Sequence, residues 1–332
     1  MKTPPDDLDA LLLRTGLHTF GIDTDGDGEV YAPVGYGDHH WTVTGADGRR
    51  WFATVADLAH KSHCGPEPES AHTGLRAAMA TARALRDLGL DLVVAPEPTP
   101  GGETVLRLTD RYALSVFPHT DGATGHFGEP LAPADRARLV DALARLHRAP
   151  APSTAPRRRP DLSARPRLDA ALADTGRPWT AGPYAERARA LTAEHGTALR
   201  RALHRFDRLA AALDDGPAAG PLVVTHGEPH PGNLLRPPGR VLLVDWDTVG
   251  LAAPERDLWL TGADEADLAR YADATGHTPR PAALALYRLR WALEDVDAYL
   301  HWFRSPHTAT ADAHDSWTAL SGTLTALATD PT

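Results

Sequence analysis

The chain has 332 residues, enough for two cores, with 42% hydrophobic and 23% charged residues, the balance of an ordinary globular protein. A formal net charge of −10 argues against a nucleic-acid partner and suits solubility or a cationic small substrate. There is no run of about 18 apolar residues to span a membrane, no charged-then-apolar leader over Met1–Asp7, so a cytoplasmic location is expected, and only Cys64 as thiol, so no internal disulfide or Cys-based metal site.

Residues 7–17 are predicted as a short helix closing near Gly16. Glu29–Val34 and His40–Thr44 read as strands on either side of Gly35-Tyr36-Gly37-Asp38. Ala46-Asp47-Gly48 is a hairpin signal before a strand over Arg50–Val55. Residues 69–89 follow as a helix, with Leu75, Met79, Ala82 and Leu85 at helical spacing and Gly89 as its stop. Glu103–Leu108 and Tyr112–Phe117 are predicted as further strands, the second running into Pro118-His119.

A helix over 133–148 carries His147 near its end, where it is expected to pack or hydrogen-bond. Proline-rich Ala149–Arg167 is the expected linker, and its Arg157-Arg158-Arg159 is read as a solvated basic run, the alternative being a grip on phosphate. Helices are predicted over 184–194, 197–213 and 282–303. In the last, Leu286, Leu289, Leu293, Val296, Leu300 and Phe303 line one face, and Asp297 flanks it. Asp264, Glu265 and Asp267 are expected to open a helix as N-terminal charges.

The most informative stretch is His226-Gly227-Glu228, followed by Asn233 and then by Val244-Asp245-Trp246-Asp247. A turn through Pro231-Gly232 presents Glu228 and Asn233 to one cleft, and a strand over Arg240–Val244 is expected to deliver Asp245 there. Phosphoryl transfer needs a carboxylate that orients the attacking hydroxyl and accepts its proton. It also needs oxygen ligands for the metal that neutralises the phosphates. The spacing therefore predicts Glu228 as base and Asn233 and Asp245 as Mg2+ ligands. Asp247 faces the same side of an extended strand and is read as a group supporting the metal ligands from behind, a second metal group or a loop cap. His230 either touches the moving phosphoryl group or steadies the turn. A zinc hydrolase is not indicated: His39-His40 face opposite ways on a strand, and no helical H-x-x-x-H is present. Nor is there a G-x-S-x-G elbow.

The segments VVTHGEPHPGNLL and LLVDWDTVGLAAPERDLWL together resemble the aminoglycoside phosphotransferase family, the second being most similar to its spectinomycin-type antibiotic phosphotransferases. The resemblance implies a two-lobed, protein-kinase-like α+β fold. A small antiparallel-sheet, nucleotide-binding lobe would cover 1–118, and a larger, mainly helical catalytic and substrate lobe 119–332. It implies ATP- and Mg2+-dependent O-phosphorylation of a hydroxyl on a small natural product or antibiotic, for resistance or self-protection. The alternatives are a metabolic kinase of choline, an amino sugar or a homoserine-like alcohol, and a catalytically silent nucleotide-binding protein.

Site residues follow from the same resemblance. Gly35 and Gly37 would lie over the ATP phosphates, where glycine permits close backbone approach; a plain hairpin turn is the alternative. Backbone groups near Phe117 and His119 would meet the adenine. His226 would orient the catalytic turn and Asp257 brace it. Asp297 and Glu294, with Trp291, would bind substrate, the alternative being a solvated acidic face with core aromatics.

Two departures stand out. The family's His-Gly-Asp is here His-Gly-Glu, and Glu228 is one methylene longer; a misplacement of about 1 Å can cost about 10²-fold in rate. The strand position of the family's lysine is Thr54. Lys61, or an Arg of that lobe, is expected to replace the charge, unless Lys61 is a solvated loop residue.

Overall fold

The computed structural model describes residues 2–25, 28–35, 37–214 and 220–329. It folds as two compact units, one of Met1–Arg158 with Pro221–Thr278 and one of Arg159–Gly220 with Pro279–Thr332.

The first unit opens with α1 (Ala10–Thr19), capped by Asp9, whose carboxylate accepts the Leu11 N–H. The helix runs past Gly16, which is no stop signal. A Cβ there would lie 2.8 Å from Leu108 Cδ2, so this glycine permits close packing. A five-stranded antiparallel sheet follows, built from β1 (Glu29–Ala32), β2 (Asp38–Thr44), β3 (Arg50–Asp57), β4 (Leu106–Arg107) and β5 (Tyr112–Pro118) in the order β1-β2-β3-β5-β4. Trp51, Ala53 and Val55 alternate inward along β3 and meet Leu13, Leu17, Leu114 and Val116 in one core. Helix α2 (Pro68–Asp87) buries Leu75, Ala78, Met79, Ala82 and Leu85 at three- and four-residue steps.

The same unit continues with α3 (Pro133–His147) and a set of short elements: β6 (Val223–Thr225), β7 (Leu234–Leu235), β8 (Leu242–Leu243), β9 (Gly250–Ala252), α6 (Glu255–Leu258) and α7 (Glu265–Thr275). β6 pairs with β9 and β7 with β8, both antiparallel. Asp264 and Asp267 form a reciprocal capping box at the start of α7, as their charges foretold.

The second unit is helical, from α4 (Arg165–Ala173), α5 (Ala185–Asp214), α8 (Pro281–Arg304) and α9 (Ala311–Thr329). The predicted stripe of α8 is buried against Leu199, Leu203 and Phe206 of α5 and Leu320 and Leu324 of α9. The two helices expected over 184–194 and 197–213 are one, continuous through Gly196. Helix α4 begins inside the expected linker, because Pro166 falls in its first turn, where a missing N–H costs nothing. Among the described residues no helix is long and apolar enough to cross a membrane.

Candidate active site

Strand β6 ends at Thr225, and the chain then turns through Gly227 at φ +103°. A Cβ at Gly227 would fall 2.4 Å from the Arg256 guanidinium and 2.6 Å from Thr248 Oγ1, so only glycine fits. Asp257 on α6 holds the turn from beneath. Its Oδ2 accepts the His226 N–H at 2.8 Å, and its Oδ1 accepts the Gly227 N–H at 2.6 Å. His147 Nε2 lies 3.0 Å from the same Oδ2, and His147 Nδ1 lies 2.7 Å from the Tyr271 hydroxyl. Burial alone would raise the Asp257 pKa, but the His147 bond and the Arg256 charge outweigh it and hold the carboxyl below its ordinary value.

The expected brace is therefore present, with His147 as part of it. Asp257→Ala would strand both amides and His147 in a dry interior. A destabilisation of about 3–5 kcal/mol is expected, the scale for breaking a buried charged pair. It is read as a lower denaturant midpoint at unchanged slope, with Asp257→Asn recovering part of the loss.

His226 is wholly buried. Its Nε2–H donates to Val244 O at 2.9 Å, and its Nδ1 accepts the Glu228 N–H at 3.2 Å. Burial drives its pKa down to about 4 against the pull of Asp257, so it is a neutral connector at pH 7. Its ring meets buried Trp246 edge-on at 4.6 Å. The Glu228 carbonyl accepts the Asn233 Nδ2–H at 3.1 Å and the His230 N–H at 2.8 Å. The Glu228 carboxyl has its pKa raised, first by burial and then by the charge of Asp247, against Lys61 and His63.

His230 caps the 3₁₀ turn Pro231–Asn233, its Nδ1 accepting the Gly232 N–H at 3.2 Å. Its ring packs edge-on to Phe127 at 5.1 Å. Burial lowers its pKa to about 4. A neutral imidazole engaged in the turn fits the steadying role that the sequence offered for it.

The carbonyl of Asn233 accepts the Val244 N–H at 3.1 Å, tying the turn to the chain that enters Asp245. Strand β8 stops at Leu243, so Asp245 is not carried on a strand as expected. It sits at φ +65°, the only non-glycine residue with positive φ among the described residues. The same-face argument for Asp247 fails with the strand. Asp247 is buried, and its Oδ2 accepts Lys61 Nζ at 2.5 Å and His63 Nε2 at 2.9 Å. Burial opposes ionisation here, but Lys61 and His63 prevail and hold Asp247 well below the ordinary range. It is an ion-pair anchor for Lys61 and His63.

Lys61 is buried, not a solvated loop lysine, and also pairs with Asp38 Oδ2 at 2.7 Å. Asp247, Asp38 and Asp245 raise its pKa well above the ordinary value despite burial. Thr54, in mid-β3, has its Oγ1 3.1 Å from His40 Nδ1.

Asp245 shows an exposed surface, while burial of its carboxyl and the charges of Asp247, Glu228 and Asp38 outweigh the opposing charge of Lys61 and raise its pKa well above the ordinary range. That is negative charge short of a cation. Mg2+ takes oxygen donors, commonly one or two carboxylates with waters and phosphates completing the shell. Asn233 and Asp245 fit that donor set. Among the described residues no group of three or more His, Cys, Asp or Glu is placed to hold a metal. An ion here would draw its other ligands from elsewhere.

The remaining predicted residues are placed as follows. Gly35 and Gly37 adopt φ of +71° and +90°, between β1 and β2; Tyr36 between them lies outside the described residues. Phe117 pairs with Phe52 across β5 and β3. The His119 N–H donates to Arg50 O at 3.2 Å, so that donor is committed to the sheet edge rather than offered to a base. In the second unit, buried Asp297 receives Arg167 Nε at 3.0 Å on both oxygens, and Glu294 pairs with Arg290 at 2.7 Å. Each of these carboxylates thus has an arginine partner within the second unit, and Trp291 beside them is half-buried.

Sequence reasoning missed His63, Asp38 and Arg158. The Arg158 guanidinium donates to the carbonyls of His63 at 2.7 Å and of Asp247 and Val249 at 3.3 Å each, so it is no solvated residue of a basic run. No motif marks these residues; nearness to Lys61 was the only hint for His63.

The sequence profile of the phosphotransferase enzyme family matches residues 32–299, and the chain belongs to that family. It is a small-molecule kinase. Its fold is similar to that of a spectinomycin phosphotransferase solved with ADP and spectinomycin, at 16% identity, TM-score 0.75, over 98% of this chain and 99% of that one. A microcompartment-associated aminopropanol kinase gives 17% identity and TM-score 0.62 over 96% and 97%. A macrolide 2′-phosphotransferase from Brachybacterium faecium gives 22% and 0.52 over 99% and 100%. No curated protein sequence matches this chain. The fold is the two-lobed, protein-kinase-like α+β arrangement, with a small antiparallel-sheet lobe and a larger helical lobe.

Proposed function

We propose that this kinase transfers the γ-phosphoryl group of ATP, with Mg2+, to a hydroxyl of a small natural product or antibiotic. The observation that carries the reading is the joining of Glu228, Asn233 and Asp245. One hydrogen bond ties Asn233 to the Glu228 carbonyl and another ties Asn233 to the residue before Asp245. Residues 1–118 would form the nucleotide lobe and 119–332 the catalytic and substrate lobe, with the left-handed Gly35 and Gly37 admitting phosphate oxygens to the backbone. Glu228 orients the acceptor hydroxyl and takes its proton as the new O–P bond forms and ADP leaves. Asn233 and Asp245 would hold Mg2+, which when bound would neutralise charge on the phosphates. Lys61 adds positive charge beside Asp245, in place of a lysine at Thr54.

Substrate identity is tested by ADP release from ATP and Mg2+ with a panel of hydroxylated antibiotics, choline and small amino alcohols. Acceptor-dependent turnover with an antibiotic is the expected result. Turnover confined to choline or an amino alcohol would replace the antibiotic reading with a metabolic one. Tight nucleotide binding with no turnover on any alcohol would identify a silent binding protein.

A further inference from the structure

Asp245 stands at φ +65°, in the left-handed region that non-glycine residues seldom adopt, and the residues on either side of it are held in place. On one side it follows Val244, bonded to Asn233. On the other side Trp246 is fully buried, and Asp247 is the next fixed point. Asp247 is gripped at both ends. Its Oδ2 accepts Lys61 and His63, and its carbonyl accepts Arg158 Nη2 at 3.3 Å and the Cys64 thiol at 3.5 Å.

The gripping loop is itself seated. Arg158 also binds the His63 carbonyl. A Cβ on Gly65 would lie 2.3 Å from the Ser70 carbonyl carbon, and one on Gly74 would lie 2.0 Å from the Cys64 oxygen, so loop and α2 are in direct backbone contact. Lys61 is shared between Asp38 and Asp247, one cation between two carboxylates. His63 is the second donor to Asp247, and its side chain is 40% exposed where those of Lys61 and Asp247 are nearly enclosed. Without it, Asp38 and Asp247 compete for one ammonium, and Asp247 loses the donor that pulls it toward the loop.

We propose that His63 is a positioning residue for Asp245. By donating to Asp247 it fixes the Asp245–Asp247 bend, so that the Asp245 carboxylate meets a divalent cation together with Asn233. The proposal rests on the reading of Asp245 as a metal ligand. Groups that orient ligating carboxylates are worth about 10–100-fold in metal affinity.

The test is titration of the full-length protein with Mn2+ in the presence of ADP, followed by the paramagnetic resonance signal of free Mn2+. His63→Ala is expected to weaken Mn2+ binding about tenfold. His63→Arg, which restores a cationic donor, should recover most of it. The affinity for metal-free ADP should stay near wild type, and any fall in the thermal midpoint of the nucleotide-free protein, from the lost donor to buried Asp247, should be recovered by Arg as well. Asp245→Ala is the control. If it fails to bind Mn2+ while His63→Ala binds as wild type does, the positioning role is overturned and the metal-ligand reading stands. If Asp245→Ala itself binds normally, the metal-ligand reading falls and this inference falls with it. A loss in His63→Ala that Arg does not repair, with a lowered thermal midpoint, would show a loop-folding role and overturn the proposal too.

Discussion

Asp245→Asn is expected to lower turnover about 10³-fold while leaving the nucleotide-free protein as stable as wild type or more so. The catalytic loss follows from what a bound cation supplies to phosphoryl transfer, several kcal/mol of charge stabilisation in the transition state. At 1.36 kcal/mol per tenfold, about 4 kcal/mol is about 10³. The stability gain follows from the raised pKa of Asp245. A carboxyl whose folded pKa lies above its unfolded value stabilises at low pH and loses that contribution as pH rises, so at neutral pH its charge works against the fold. Asn removes the charge and tolerates the left-handed backbone, which Ala does less well. ADP release and thermal midpoint, measured on one preparation, test both halves. Undiminished turnover would remove Asp245 from the mechanism; a fall in midpoint would show that something other than Asp247, Glu228 and Asp38 dominates its surroundings.

The catalytic turn was legible because its chemistry is local. Glu228, Asn233 and the glycine between His226 and Glu228 lie within eight residues, and Asp257 follows on the next helix. The stripe of α8 was legible for the same reason, since helical spacing records which face is buried. Periodicity misled where a residue type has two uses. Gly16 reads as a stop signal, yet it packs against Leu108 and Leu114 within a continuing helix. Arg240–Val244 reads as a strand that carries Asp245, yet the ladder closes at Leu243 and the next residues bend. The ion pairs around Asp247 were out of reach of such signals. Lys61 and Asp247 are 186 residues apart, and nothing in the spacing of either segment records the other. The same holds for Asp297, whose flanking position on α8 suggested an open face; Arg167 meets it from 130 residues away. Local pattern tells which side of an element is buried, but not which charge waits there.

Glu228→Gln is expected to reduce kcat by about 10²–10⁴-fold, the scale of a general base, with KM for ATP little changed. The turn does not depend on the carboxylate. It is the Glu228 carbonyl that accepts from Asn233 and His230, and the Glu228 N–H that donates to His226. An amide of the same shape therefore leaves Asn233 in place and removes only the proton acceptor. Burial and the charge of Asp247 raise the pKa of Glu228 toward the working pH, which makes it a better acceptor than a solvated carboxylate. The acidic limb of the wild-type rate profile should accordingly lie above the ordinary Glu value. Activity falls as pH drops through that point, because the protonated acid cannot take the hydroxyl proton, and this limb should be absent in the Gln variant. Glu228→Asp separates reach from charge. It keeps the base but withdraws it by one methylene from a position set by the backbone, and a displacement of about 1 Å is worth about 10²-fold. A Gln variant that turns over like wild type would show that the acceptor hydroxyl loses its proton to some other group; an Asp variant that matches wild type would show that the loop gives way by that distance, and that the longer side chain of this enzyme carries no geometric consequence.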